Sequence, residues 1–243
     1  MLRIIMRFIK NLLKYIYYAL LFIWESLVRL VIINLSNGSK KFGLIYKLNY
    51  WSGPFSNRSV SGYGSDKEAT QNIVSDLESF IKQHKIKTIL DIPCGDFSWM
   101  KNVNFNGAEY IGADIVEDLI LSNKLSYTSE STSFKVMDVT SDLIPEVDLV
   151  FVRDCFIHLS NQDVTKAISN IKRSKSCFFA ATTFSSEEVD NKNIITGDFR
   201  FINLLKKPFE LPEPFDILDD GFDNKDKIYS CKKISIWKLD ELE

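Results

Sequence analysis

The chain is poor in the residues that most catalytic and binding frameworks need. Of 243 residues only two are histidines, His84 and His158, and four are cysteines, Cys94, Cys155, Cys177 and Cys231. The cysteines are scattered with no CxxC pair. Zinc sites need clustered imidazole or thiolate ligands, and disulfide frames need paired cysteines. The expectation is therefore buried free thiols in a reducing compartment and no metal. An excess of charge of one sign is also lacking: the net charge is −2, which leaves no electrostatic footprint for nucleic acid. Neither G-x-G-x-x-G nor GxxxxGK[ST] occurs, so the usual cradles for a pyrophosphate or triphosphate are missing.

Long uncharged runs are absent too. The first 36 residues are almost wholly aliphatic and aromatic, yet the longest run without a charge, Tyr15 to Trp24, is ten residues. A membrane span needs about 20 predominantly apolar residues. Glu25 and Arg29 interrupt the apolar run, and no small-residue cleavage site follows, which counts against a secretory signal.

What this segment does have is a pattern. At about 100° per residue, Arg3, Arg7, Lys10, Asn11, Lys14, Glu25 and Arg29 fall in one sector on the order of 100° wide. The rest of the surface is apolar. A thin basic stripe on a wide apolar face suits a helix lying in the interface of an anionic membrane. The expected location is therefore peripheral, on the cytoplasmic face. Packing on the domain or on a second subunit, or a tilted span, would use the same pattern. "NLSNGSKKFG" follows and reads as a flexible boundary. The expected organisation is an amphipathic helix over 1–36, a linker over 37–48 and one domain over 49–243.

From residue 45 onward helical and strand-like stretches alternate. Ser65 with Glu68 forms a capping box ahead of a helix whose apolar face is Ile73, Leu77, Phe80 and Ile81, with His84 in its last turn. "KTILDI", "EYIGADI", "SFKVMDVT", "VDLVFVRD" and "SCFFAATTF" read as strands. "VEDLILSNKLSY" and "SNQDVTKAISNIKRS" read as helices between them. "FDILDDG" and "KKISIWKL" read as a closing strand pair joined by a charged loop. Such alternation predicts an α/β fold: a mostly parallel sheet with crossover helices and an antiparallel last strand.

Four successive strand ends carry acids: Asp91, Asp114, Asp138 and Asp154, spaced 23, 24 and 16 residues apart. One such acid is ordinary turn chemistry. Four along one rim, where open parallel sheets bind their ligands, suit a ligand with a positive charge and several donors. "ILDIPCGDFSWM" concentrates the signal. It holds two carboxylates, Asp91 and Asp96, around a single glycine, Gly95, in a loop that would repel phosphate.

From about residue 50 the chain resembles the class I S-adenosylmethionine (SAM)-dependent methyltransferases. "LDIPCGDFSWM" resembles that family's first motif, with Asp91 at its acid and Gly95 at its central glycine. Pro93 stands at the first glycine, and the last is lost around Phe97 and Ser98. "YIGADI" resembles the second motif, whose acid accepts from the ribose hydroxyls, here Asp114 with Ile115 beside it. "VMDVT" resembles the third, whose acid meets the adenine amino group, here Asp138 with Val139. The resemblance implies a Rossmann-like seven-stranded sheet with a reversed last strand, and SAM as cofactor. "YWSGPFSNRSVSGYGSDKEAT", "FVRDCFIHLS" and "GDFRFINLLKKPFELPEPFDILDDG" are similar to a group of bacterial methyltransferases associated with polysaccharide and cell-envelope biosynthesis. That narrower resemblance implies a sugar or glycan acceptor.

Methyl transfer needs donor and acceptor held in line, and a hydroxyl acceptor needs a base. His158, four residues after Asp154, has a reference pKa near 6.5 that suits the role; Asp154 is the other candidate, and the alternatives are cofactor binding for Asp154 and capping or packing for His158. Gly62 and Gly64 offer backbone N–H groups for the methionine carboxylate. Trp51 offers a stacking face for sugar or adenine, or simple packing. Arg200 offers a fork for an acidic group of the acceptor or a structural pair, and Asn203 a hydrogen bond to a hydroxyl. A lipid, quinone-like or protein acceptor, or a non-catalytic membrane-attached scaffold, stay open alternatives, and the oligomeric state is not readable.

Overall fold

The computed structural model describes residues 2–242 except 55, 57 and 222–226, with side chains from residue 6. Seven strands form one sheet: β1 (Thr88–Asp91), β2 (Glu109–Asp114), β3 (Thr132–Val136), β4 (Leu149–Val152), β5 (Phe178–Phe184), β6 (Asp216–Asp219) and β7 (Lys232–Lys238). Their spatial order is β3-β2-β1-β4-β5-β7-β6. β1 to β5 pair in parallel, and β7 runs antiparallel to both β5 and β6. The reversed strand is thus interior, and β6 closes the edge. The charged loop expected between β6 and β7 includes 222–226, which lie outside the described residues.

Strand alternation sorts the core onto two faces. Leu90, Val150, Val152, Phe179 and Ala181 point one way, onto Val164, Ala167 and Ile171 of α5 (Asn161–Arg173). Ile89, Leu149, Phe151, Ala180 and Ile236 point the other way, onto Ile73, Leu77, Phe80 and Ile81 of α3 (Lys67–His84). α4 (Glu117–Tyr127) crosses between β2 and β3. Order reversal falls between β1 and β4, so the carboxyl ends of these two strands flank the switch point where ligands of such sheets bind.

Two local expectations are corrected. α3 is capped by Asp66, not Ser65, and no side-chain cap bond forms, so the Ser65–Glu68 box is absent. Ser65 instead closes a short 3-10 turn, Tyr63–Ser65, ahead of the helix. The segment read as a linker is largely helix: α2 spans Gly38–Lys47, its N-terminus capped by the Asn37 side chain on the Lys40 N–H. Asn, Ser and Gly look like loop chemistry, but here Asn37 is a cap, and Ile45 and Lys41 bury the inner face of the helix.

α1 is one unbroken helix, Leu2–Asn34. Its stretch Met6–Asn34 is long and apolar enough to cross a membrane by length and composition, although the charges are spaced through it. Among the described residues, only its foot touches the domain. Val28 and Ile32 pack with Ile45 of α2, Trp24 lies against Tyr50, and Arg29 pairs with Asp198 at 2.5 Å.

Candidate active site

The strand-end acids meet on one rim, in two adjoining cavities. Asp114, Ile115, Asp138 and Val139 line the first. Asp91, Gly95 and Asp96 line the second. Tyr46, Trp51, Pro93, Asp154 and His158 line both.

Asp91 and Asp114 are each 2% exposed. Burial raises Asp91 to about 7 in spite of the 2.6 Å bond from the Tyr110 hydroxyl and the nearby Arg153 charge. Burial likewise raises Asp114 to about 6, opposed by the N–H groups of Val116 and Gly95 that donate to it at 3.0 and 3.2 Å. Asp138 accepts from the N–H and hydroxyl of Thr140 through one oxygen, Oδ1.

The irregular glycine loop keeps a workable backbone. Gly95 sits at φ 55°, and a Cβ there would run into the Ser61 hydroxyl. Phe97, at the lost glycine, takes φ 57°. That conformation is costly for a bulky residue, and the ring offsets the cost by burial against Tyr110, Tyr127 and Phe134. Phe97→Ala keeps the strained backbone and loses the packing. It is expected to destabilise the domain by about 3–5 kcal/mol, measured by denaturant unfolding. Asp96 fastens the preceding loop, accepting from Ser59 at 2.7 Å and from Ser61 at 3.2 Å.

A third cavity shares Trp51, Asp154 and His158 with these two and is walled by Phe184, Phe199 and Tyr229. Gly62 and Gly64 line this cavity, not the two that hold Asp91 and Asp114. The Gly62 N–H already donates to the Ser59 carbonyl, and the Gly64 carbonyl accepts from Arg153.

His158 borders all three cavities. Its ring stacks on Trp51 with centroids 4.6 Å apart. Nδ1 lies 2.9 Å from the Asp198 carbonyl, which can only accept, so Nδ1 carries the proton. In the neutral ring Nε2 is then the acceptor. Burial pushes the pKa below its ordinary value, against the bond to Asp198 and the charge of Asp154. The ring is therefore neutral at pH 7.

Asp154 is held differently. Lys232 bonds it at 2.7 Å, and Arg153 lies at 3.4 Å. Burial works to raise the carboxyl, but the two cations outweigh it and bring it to about 2. Both cations also pair with the fully buried Asp220, at 2.8 Å from Arg153 and 3.0 Å from Lys232. Two cations thus balance two carboxylates, the arrangement that makes buried charge tolerable. An acid so paired is a poor proton acceptor.

Arg200 and Asn203 line none of these three cavities. Arg200 is 7% exposed and donates to Asn161 and to the carbonyls of Lys192 and Leu159. Asn203 is buried; its N–H and carbonyl bond Asn191, and its side chain accepts from the Leu205 N–H. Both brace the segment that wraps the site. Sequence reasoning also missed Tyr46, Arg153, Lys232 and Asp220. The run "VRDC" at the end of β4 was the readable signal for Arg153. Among the described residues no group of three or more potential metal ligands gathers.

No protein-family model matches the chain, and no curated protein matches it in sequence. Solved structures do match. The fold is similar to "PigF with SAH" at a TM-score of 0.52 and 13% identity, over 70% of this chain and 55% of that one. It is similar to human N-acetylserotonin methyltransferase in complex with SAM at 0.51 and 12%, over 82% of this chain and 56% of that one. It is also similar to the methyltransferase domain of bacterial CtHen1 at 0.51 and 13%, over 70% of this chain and 98% of that domain. At such identities the likeness shows the fold: a Rossmann-like methyltransferase fold with a mostly parallel seven-stranded sheet.

Proposed function

We propose that the protein is a SAM-dependent methyltransferase that O-methylates a sugar or glycan, carried on a lipid, at the cytoplasmic membrane surface. The observation that carries this reading is the placement of Asp91, Asp114 and Asp138 on two adjoining cavities at the switch point of the sheet.

The donor set fits the cofactor. Asp114 is buried, yet each oxygen keeps acceptor capacity beyond its one backbone bond, enough for ribose hydroxyls. Asp138 has an oxygen left over beside the apolar walls of Ile115 and Val139, suited to an adenine amino group. The second cavity presents Asp91 and Gly95 to a methionine moiety, with the Ser61 hydroxyl seated where a Gly95 Cβ would stand. Bound SAM supplies a methyl group on a cationic sulfur.

The chain's own residues do the rest. Nε2 of His158 takes the acceptor's proton, since Nδ1 is committed to Asp198. Asp154 shares a buried network with Lys232 and Arg153 and keeps its charge next to His158 as the ring becomes protonated. The aromatic walls of the third cavity offer faces on which a sugar ring can stack.

The orientation of α1 favours an in-plane placement. Leu21, Trp24, Val28 and Ile32 are its inward positions. On the wheel they share one side with Arg3, Arg7, Lys10 and Lys14. The basic stripe and the domain therefore lie on the same side of the rod, and the apolar face, with Leu12, Ile16 and Ile23, turns away from both. A bilayer above and a domain below satisfies every face. Replacing Leu12, Ile16 and Ile23 together by glutamate is expected to release the protein from anionic vesicles, with its thermal unfolding unchanged. Cosedimentation measures it. Retained binding in the triple variant would contradict the in-plane helix.

Methyl-labelled SAM, incubated with the full chain and a membrane extract, tests the activity. Label is expected in glycan-bearing lipid, released by mild acid with the sugar. Label in protein, or in lipid devoid of sugar, would exclude the glycan acceptor.

A further inference from the structure

The foot of α1 reaches the proposed base through a short chain of contacts. Arg29 forks onto Asp198, Nη2 to Oδ2 at 2.5 Å and Nε to Oδ1 at 3.3 Å. The carbonyl of the same Asp198 holds Nδ1 of His158 at 2.9 Å. The segment around Asp198 grips the histidine turn by its backbone as well. The Gly197 N–H donates to the His158 carbonyl at 2.8 Å, and the Arg200 N–H to the Ile157 carbonyl at 3.0 Å. Phe199 lies against the ring of His158 with centroids 5.8 Å apart.

The outer side of this segment belongs to α1 and α2. Gly197 sits at φ 101°, and a Cβ there would meet Ile32 of α1 at 3.0 Å and Lys41 of α2 at 2.7 Å. Lys41, buried, donates to the Thr196 carbonyl at 2.6 Å. One strap thus has the amphipathic helix on one side and the imidazole on the other. An exposed ion pair contributes little to stability by itself. A forked pair that fixes a backbone carbonyl does something different: it sets where the proton-bearing nitrogen of the ring is held, and what charge sits beside it.

We infer that Arg29 and Asp198 are positioning residues for His158, so that α1, the membrane-facing helix, is part of the catalytic apparatus as well as an anchor. This inference rests on the transferase reading only for the role of His158; the coupling itself is a property of the folded chain. The charged groups facing the ring are Asp154 from the loop after β4, Lys232 from β7, Asp198 from the strap, and Arg29 through Asp198. Asp154 and Asp198 favour the protonated ring, and Lys232 disfavours it. Arg29 neutralises Asp198. Its removal leaves that carboxylate to act alone.

The test is a titration of the two imidazoles by NMR in the full chain in detergent, with His84→Gln used to assign His158. Arg29→Ala is expected to raise the His158 midpoint by at least about 0.5 pH unit, and Asp198→Asn to lower it by a similar amount. Arg29→Lys keeps the charge and is expected to stay near the parent. A general loosening of the fold would move Arg29→Ala and Asp198→Asn the same way. Opposite shifts therefore support the coupling. Equal shifts, or none, overturn it. SAM binding is measured on the same samples by calorimetry. Its absence from the parent would sink the transferase reading while leaving the titration to decide the coupling.

Discussion

Replacing His158 with glutamine is expected to lower methyl transfer by about 10² or more, with cofactor affinity little changed. Glutamine can keep a donor toward the Asp198 carbonyl and some of the contact with Trp51. It has no group that accepts a proton near neutral pH. The remaining candidate, Asp154, is held at about 2 by Lys232 and Arg153 and cannot substitute. The pH profile of the parent gives the same information from the other side. The base is active when neutral, so turnover falls as pH drops through the His158 pKa, which burial places below its ordinary value. The acidic limb is therefore expected below about pH 6.5. A His158→Gln variant with nearly full turnover would remove the imidazole from the mechanism.

Replacing Asp114 with alanine is expected to weaken S-adenosylhomocysteine (SAH) binding tenfold or more, which is about 1.4 kcal/mol. The loss has two parts: the acceptor for the ribose hydroxyls, and the bond that fixes the Gly95 N–H at 3.2 Å. The same rim predicts a pH dependence. In the free protein Asp91 titrates at about 7 and Asp114 at about 6. A ligand that donates to these groups favours their ionised forms, so binding releases protons. Affinity is therefore lost as pH falls through 7 and then 6. For Asp91 alone the loss between pH 8 and pH 6 is about tenfold.

The sheet and its rim were legible because both follow from local chemistry. Strands such as "KTILDI" are short buried aliphatic runs that end at acids, and each acid lies on the shared edge that parallel pairing creates. The closing pair was legible for the same reason, although β7 proved interior and β6 the edge. What the sequence concealed depends on contacts far along the chain. α2 has the composition of a loop, and only its seat against α1 and the 196–197 strap makes Lys41 and Ile45 buried residues. Through α2, Tyr46 reaches both cavities on the cofactor side. Lys232 looks like one more solvent lysine in "KKISIWKL". It is 2% exposed because Asp154, 78 residues earlier, and Asp220 balance its charge. Arg200 and Asn203 looked like ligand groups by residue type, but Arg200 donates to the Leu159 and Lys192 carbonyls and to Asn161, and Asn203 bonds Asn191 and Leu205.

The central claim is that the acidic rim holds SAM, and calorimetric titration of the full chain with SAH tests it most directly. The account predicts saturable one-to-one binding at pH 8 that weakens at pH 6, with proton release seen as a dependence of the measured heat on the buffer's ionisation enthalpy, and with Asp114→Ala binding at least about tenfold more weakly. Absence of binding at millimolar SAH, or binding indifferent to both Asp114 and pH, would contradict it.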